Sequence, residues 1–192
     1  MMRLLRRTGT PLSIAATLLA AGMLGSAAHS ALSQRDAQPR GDKYALLIGV
    51  REYDPNELRK LPYSEADITE LSAVLQQNGY RKENVVLMTQ TEGAKRTRFL
   101  PLAANVRKEL KLLLADRKEG DSVLIALAGH GVEFRGSEEN YFCPADTQLA
   151  DKSTLISLRE LYDDLKQCQA GFKLLLADTC RKDPRSDNSR AR

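Results

Sequence analysis

Four short apolar runs separated by helical patterns constrain this chain's fold more than any other feature. The runs are YALLIGV (residues 44–50), NVVLMT (84–89), SVLIALA (122–128) and FKLLLAD (172–178). They are nearly continuous rather than alternating, as strands buried on both faces require. Between them, residues 64–78 place Ile68, Leu71 and Leu75 on one helical face and stop at Asn78-Gly79. Residues 102–118 group Leu102, Val106, Leu110 and Leu113, and residues 157–168 group Leu158, Leu161, Leu165 and Cys168. Alternation of this kind predicts an α/β fold, a mostly parallel sheet with helices on both faces. Residues 131–148, GVEFRGSEENYFCPADTQ, carry no helical period, and their centre at 136–140 reads as a turn between two extended arms. A small hairpin is therefore expected after the third run.

A chain of 192 residues with 42% hydrophobic content can form one core, and with 5% aromatics and no tryptophan that core is aliphatic. The net charge of +4 is misleading. Residues 1–31 hold Arg3, Arg6 and Arg7 and no acid, so the remainder carries 26 bases against 25 acids. A body this close to neutral gives no reason to expect nucleic-acid binding. Residues 1–31 have a basic start, an apolar stretch at about 12–24 and then small residues, the pattern of a secretory signal peptide. A membrane anchor is the competing reading, although the apolar stretch falls short of the roughly 20 residues a span takes. Export to the periplasm or the cell exterior is expected. Residues 32–42 read as a polar linker, 43–182 as one folded domain and 183–192 as a polar tail.

The third run ends in Gly-His-Gly at His130, and the fourth ends in Asp-Thr-Cys at Cys180. In an open parallel sheet, functional groups collect at the carboxyl ends of the strands. If these two strands are neighbours, roughly 4.8 Å apart, an imidazole and a thiol meet at one sheet edge. A thiol becomes a good nucleophile as the thiolate, which an imidazole base within reach supplies. The main-chain N–H groups of Gly131 and Cys180 could then bind the oxyanion of a tetrahedral intermediate. Taken singly, a strand-end histidine is more often a satisfied surface or core residue, and a cysteine more often a small buried hydrophobe. Their conjunction at two strand ends, in a chain with no other histidine beyond residue 31, favours the catalytic reading.

The chain resembles the caspase-like cysteine peptidases, the clan of caspases, metacaspases and paracaspases. The resemblance spans about residues 43–182 and rests on KYALLIGVREY, LPYSEADITELSAVL, LAGHGVEF, YFCPAD and LLLADTCRK in family order. Caspases also place the histidine about 50 residues before the cysteine. The resemblance implies a caspase-like three-layer sandwich, His130 as general base and acid, Cys180 as nucleophile, and Gly131 with Cys180 as oxyanion donors. The nucleophile stretch ADTCRK departs from the caspase pattern Q-A-C-[RQG]-G and is closer to that of paracaspases and metacaspases, which argues against cleavage after aspartate. Asp67 and Asp178 match positions where those groups carry acids lining a pocket for a basic residue, so cleavage after Arg, then Lys, is implied. Asp67 also completes a capping-box pattern, Ser64-Glu65-Ala66-Asp67, which is a purely structural role.

No metal or other cofactor is expected, since no two cysteines show zinc-ligand spacing; the resemblance leaves calcium activation open, as in many metacaspases, and the sequence has no EF-hand loop. Cys143 and Cys168 read as core residues, although an exported chain with three cysteines also fits a Cys143–Cys168 bridge beside a free Cys180. The family fold has further strands after the nucleophile, whereas twelve residues follow Cys180. The last strands of the full fold are therefore expected to be lacking, with a missing small-subunit segment or self-association at the exposed fourth strand. Peptide or protein substrates are the expected partners of a cysteine endopeptidase. The alternatives are a caspase-like binding module without a complete groove and, last, a non-peptidase thiol hydrolase.

Overall fold

The structure is a computed structural model, and it describes residues 41–134 and 136–180. The export and linker readings, apart from residues 41 and 42, and the polar tail lie outside the described residues. The expected alternation is present. Strand β1 (Lys43–Gly49) leads to helix α1 (Ser64–Gln77), β2 (Val85–Met88), α2 (Gln90–Lys95), α3 (Ala103–Leu114), β3 (Ser122–Glu133), β4 (Asn140–Phe142), β5 (Ile156–Ser157), α4 (Leu158–Gln167) and β6 (Phe172–Cys180). Strands β2, β1, β3 and β6 pair in parallel in that spatial order. β4 runs antiparallel to the end of β3 and to β5.

Two apolar faces make this sheet the middle of three layers. Leu46, Ile48 and Val50 at one end, with Val123, Ile125 and Leu127 of β3, pack against Val106, Leu110 and Leu113 of α3 and Leu161 and Leu165 of α4. The alternate residues Ala45, Leu47, Leu124, Ala126 and Ala128 pack against Ile68 and Leu75 of α1. Period two in the inner strands and period 3.6 in the helices thus turn these apolar stripes inward. A third cluster of Leu58, Val132, Tyr141, Cys143, Leu149 and Leu155 lies under the hairpin.

Several boundaries differ from the sequence reading. β3 runs five residues past Ala128, because the first arm of the expected hairpin is its direct continuation. α3 stops at Leu114 rather than at 118: Asp116 takes φ +58°, and Asp121 uses its carboxylate to accept from the N–H groups of Lys118 (2.9 Å) and Asp42 (2.9 Å). Those hydrogen bonds hold a turn where a helical composition continues. α1 stops where expected, with Gly79 at φ +88°, a left-handed conformation that glycine adopts without Cβ strain. The short elements α2 and β5 have too few residues to show a period. Burial on both faces holds for β1 and β3 but not for β2 or β6, which are half-buried or more exposed along most of their length.

Candidate active site

His130 sits two positions beyond Ala128 on β3, the parity that faces α1, and it is buried. Its Nε2 lies 2.7 Å from the main-chain carbonyl of Arg59. A carbonyl can only accept, so the neutral ring carries its proton on Nε2 and leaves the Nδ1 lone pair as the proton acceptor. Arg59 belongs to the loop after β1, which is pinned on both flanks. Leu58 enters the cluster under the hairpin, and the Glu57 carboxylate accepts from the Leu149 N–H at 2.8 Å. Burial pushes the His130 pKa down; the hydrogen bond to Arg59 opposes that shift, and the Arg59 charge adds to it.

Tyr53, from the same loop, holds the other side of this histidine. Its hydroxyl accepts the main-chain N–H of His130 at 3.0 Å and donates to the Cys143 carbonyl at 3.2 Å. The two rings lie 5.0 Å apart, inclined at 58°. The first glycine of Gly-His-Gly follows from this contact: a Cβ on Gly129 would stand 2.8 Å from the Tyr53 hydroxyl and 2.9 Å from the Phe142 ring.

Cys180 is the last residue of β6, and its side chain lies outside the described residues. Its backbone is the register partner of His130, just as Thr179 faces Gly129 and Asp178 faces Ala128. The two candidate positions are therefore opposite one another on neighbouring parallel strands, at their carboxyl ends. Asp178 shares the α1 face and is exposed, and Asp67 is exposed in the first turn of α1. Both acids thus lie on one side of the sheet, and neither has an ion-pair partner among the described residues. Gly131 follows His130 into the antiparallel pairing with β4 and, with Asn140, Leu158, Tyr162 and Thr179, lines a cleft of about 320 Å³.

Two expectations are corrected. Ser64 does not cap α1: its hydroxyl donates to the carbonyls of Val50 (2.7 Å) and Leu61 (3.1 Å), and Tyr63 stands at the cap without a side-chain bond. Ser64 is the first helical residue rather than the cap, and its hydroxyl is turned back toward the carbonyls that precede the helix, so Asp67 has no capping box to complete. The Cys143–Cys168 bridge is also absent. Both are buried free thiols in different clusters, Cys143 under the hairpin and Cys168 against α3 and α4.

Sequence reasoning missed Tyr53, Arg59 and Glu65. Glu65 is buried, and its carboxylate accepts from the N–H of Gln90 (2.6 Å) and the hydroxyl of Thr91 (2.7 Å), while Arg51 lies 3.7 Å away. Gln90 in turn accepts from the Arg51 N–H and donates to the Glu52 carbonyl, which fastens the stretch leading to Tyr53. The available signal was position: VREYDPNELRK follows the carboxyl end of β1, where site residues gather.

The family model for the caspase domain matches residues 42–191. This chain belongs to the caspase-domain family. It is 28% identical over 151 residues to metacaspase-1 of Schizosaccharomyces pombe, covering 73% of this chain and 34% of that protein. With metacaspase-3 of Arabidopsis thaliana it shares 26% over 161 residues, covering 74% and 44%. The chain thus spans about a third to less than half of the length of these relatives. Among solved structures, a Geobacter sulfurreducens protein superposes with a TM-score of 0.57 at 19% identity, covering 77% of this chain and 54% of its own. Caspase-1 of Spodoptera frugiperda does so with a TM-score of 0.54 at 16% identity, covering 73% and 48%. At these identities the superpositions speak for the caspase fold alone.

Proposed function

We propose that the protein is a cysteine endopeptidase in which His130 and Cys180 form the catalytic dyad. The observation that carries this reading is the register pairing of those two positions at the carboxyl ends of β3 and β6. With Nε2–H held by Arg59, Nδ1 of His130 takes the thiol proton. The Cys180 thiolate attacks the scissile carbonyl carbon, and the carbonyl π electrons move to oxygen, where the N–H groups of Gly131 and Cys180 stabilise the oxyanion. Collapse breaks the C–N bond as His130 returns its proton to the leaving amine. Water, deprotonated by His130, then hydrolyses the thioester and regenerates the thiol.

The substrates are peptides or proteins cleaved after Arg, with Lys second. Asp67 and Asp178 on the α1 side supply two carboxylates, which suit the bidentate donors of a guanidinium and repel an aspartate. Residues 1–31 direct the protein to export. In a fluorogenic peptide series varying only the residue before the scissile bond, Arg is expected to exceed Lys and Asp to be rejected. Cys180→Ala and His130→Ala are expected to lower turnover by about 10²–10⁴-fold or more, and Asp178→Asn to weaken the Arg preference. Equal turnover by Cys180→Ala, or a preference for Asp, overturns the assignment. The alternative, a binding module with an incomplete groove, draws on the exposed Phe172 and Leu176 of β6. Binding of an Arg peptide without turnover would favour it.

A further inference from the structure

We infer that Tyr53 is a positioning residue for His130, holding the imidazole through two contacts made by one side chain. The inference rests on the dyad reading and adds the element that orients its base. The hydroxyl bridges the His130 N–H and the Cys143 carbonyl, so it fixes the backbone at the point where β3 passes from its parallel partner β6 to its antiparallel partner β4. The Cys143 N–H donates to the His130 carbonyl at 2.9 Å, closing the link on the other side of the residue. The ring, inclined against the imidazole at 5.0 Å, restricts its rotation. Arg59 grips Nε2 from a position six residues further along the same loop. Together the three contacts leave the histidine one orientation and one tautomer, with Nδ1 as the acceptor.

The arrangement is specific to a hydroxylated ring. A side chain without the hydroxyl leaves a donor and an acceptor unpaired at the strand crossover, and one without the ring leaves the imidazole face open. Gly129 reports how tightly the hydroxyl is seated, since a methyl group there would stand at 2.8 Å from it. Burial raises the Tyr53 pKa far above its usual value, so the phenol stays protonated and keeps its donor throughout the working range.

The test uses the complete protein with Tyr53→Phe and Tyr53→Leu, read by kinetics and by ¹⁵N NMR of the His130 ring. Tyr53→Phe is expected to lower kcat about 10-fold with KM changed less than about 2-fold, because binding contacts are intact while the base is misplaced. In the wild type the ring nitrogens are expected to show a single Nε2–H tautomer; in Tyr53→Leu they are expected to move toward an average of both. Unchanged kcat and an unchanged tautomer in folded variants, with only the melting temperature lowered, would make Tyr53 a packing residue and overturn the inference. If the wild type shows no turnover, or His130→Ala retains it, the dyad reading fails instead. The tautomer comparison then still decides whether Tyr53 orients the ring.

Discussion

β3 and β6 are neighbours with similar sequences and opposite surroundings. SVLIALA lies almost wholly inside, between β1 and β6 and between two helical layers, whereas FKLLLAD pairs on one side only among the described residues. Phe172 is 54% and Leu176 41% exposed, although both belong to a run that is, like that of β3, mostly apolar. An apolar run therefore states what a strand can bury, and its neighbours determine what it does bury. The candidate site joins the two regimes, a rigidly held histidine on the inner strand and a cysteine position on the open one.

The largest expected contrast is in stability. Leu47→Ala, in the inner sheet, is expected to cost about 2–5 kcal/mol, and Leu176→Ala, on β6, less than about 1 kcal/mol, both measured by urea denaturation. Similar costs would show that β6 is covered in solution. Next come the register partners Gly129 and Thr179. Gly129→Ala drives a methyl group toward the Tyr53 hydroxyl and the Phe142 ring and is expected to cost about 1–3 kcal/mol, with kcat falling as His130 shifts. Thr179→Ala should change stability by less than about 0.5 kcal/mol. A neutral Gly129→Ala would remove the argument that Tyr53 seats tightly beneath that strand.

A smaller effect follows from the burial of His130. Its folded pKa lies below the ordinary value of 6.5, so the unfolded chain takes up the proton first as pH falls. The histidine thus contributes nothing to the pH dependence of stability above that value and destabilises the fold below it. Denaturation at pH 7.5 and 5.5 should show a loss on acidification that is smaller in His130→Gln; an equal loss would assign the dependence to other groups. The smallest effect is chemical. Burial pushes the Cys143 thiol up to about 12, so Cys143 and the buried Cys168 should resist alkylation in the folded protein at pH 7.5 while Cys180 reacts. Labelling of Cys143 before unfolding would contradict its burial.

The layered sheet, the helix that stops at Gly79, the hairpin and the positions of His130 and Cys180 were all legible, because each is signalled by a local period or a strand-end residue. The stop of α3 was not, since Asp121 terminates it from outside the helix. The role of Ser64 was misread because the two carbonyls that accept from it belong to the chain before the helix rather than to the helix. Tyr53 and Glu65 drew no attention because nothing near them in the chain reveals their partners.

By itself the sequence determined the alternation of buried strands and amphipathic helices, and with it the three layers and the sheet edge at which the chemistry gathers, since these follow from periodicities of two and 3.6 within single segments. Only the tertiary structure decided that β3 and β6 are adjacent in the register that pairs position 130 with 180, and that Arg59 and Tyr53 hold the imidazole. The first rests on the β3–β6 ladder, whose partners lie 50 residues apart, and the second on hydrogen bonds spanning 71 and 77 residues. Strand order and loop conformation are selected by such long-range contacts, which no local pattern encodes.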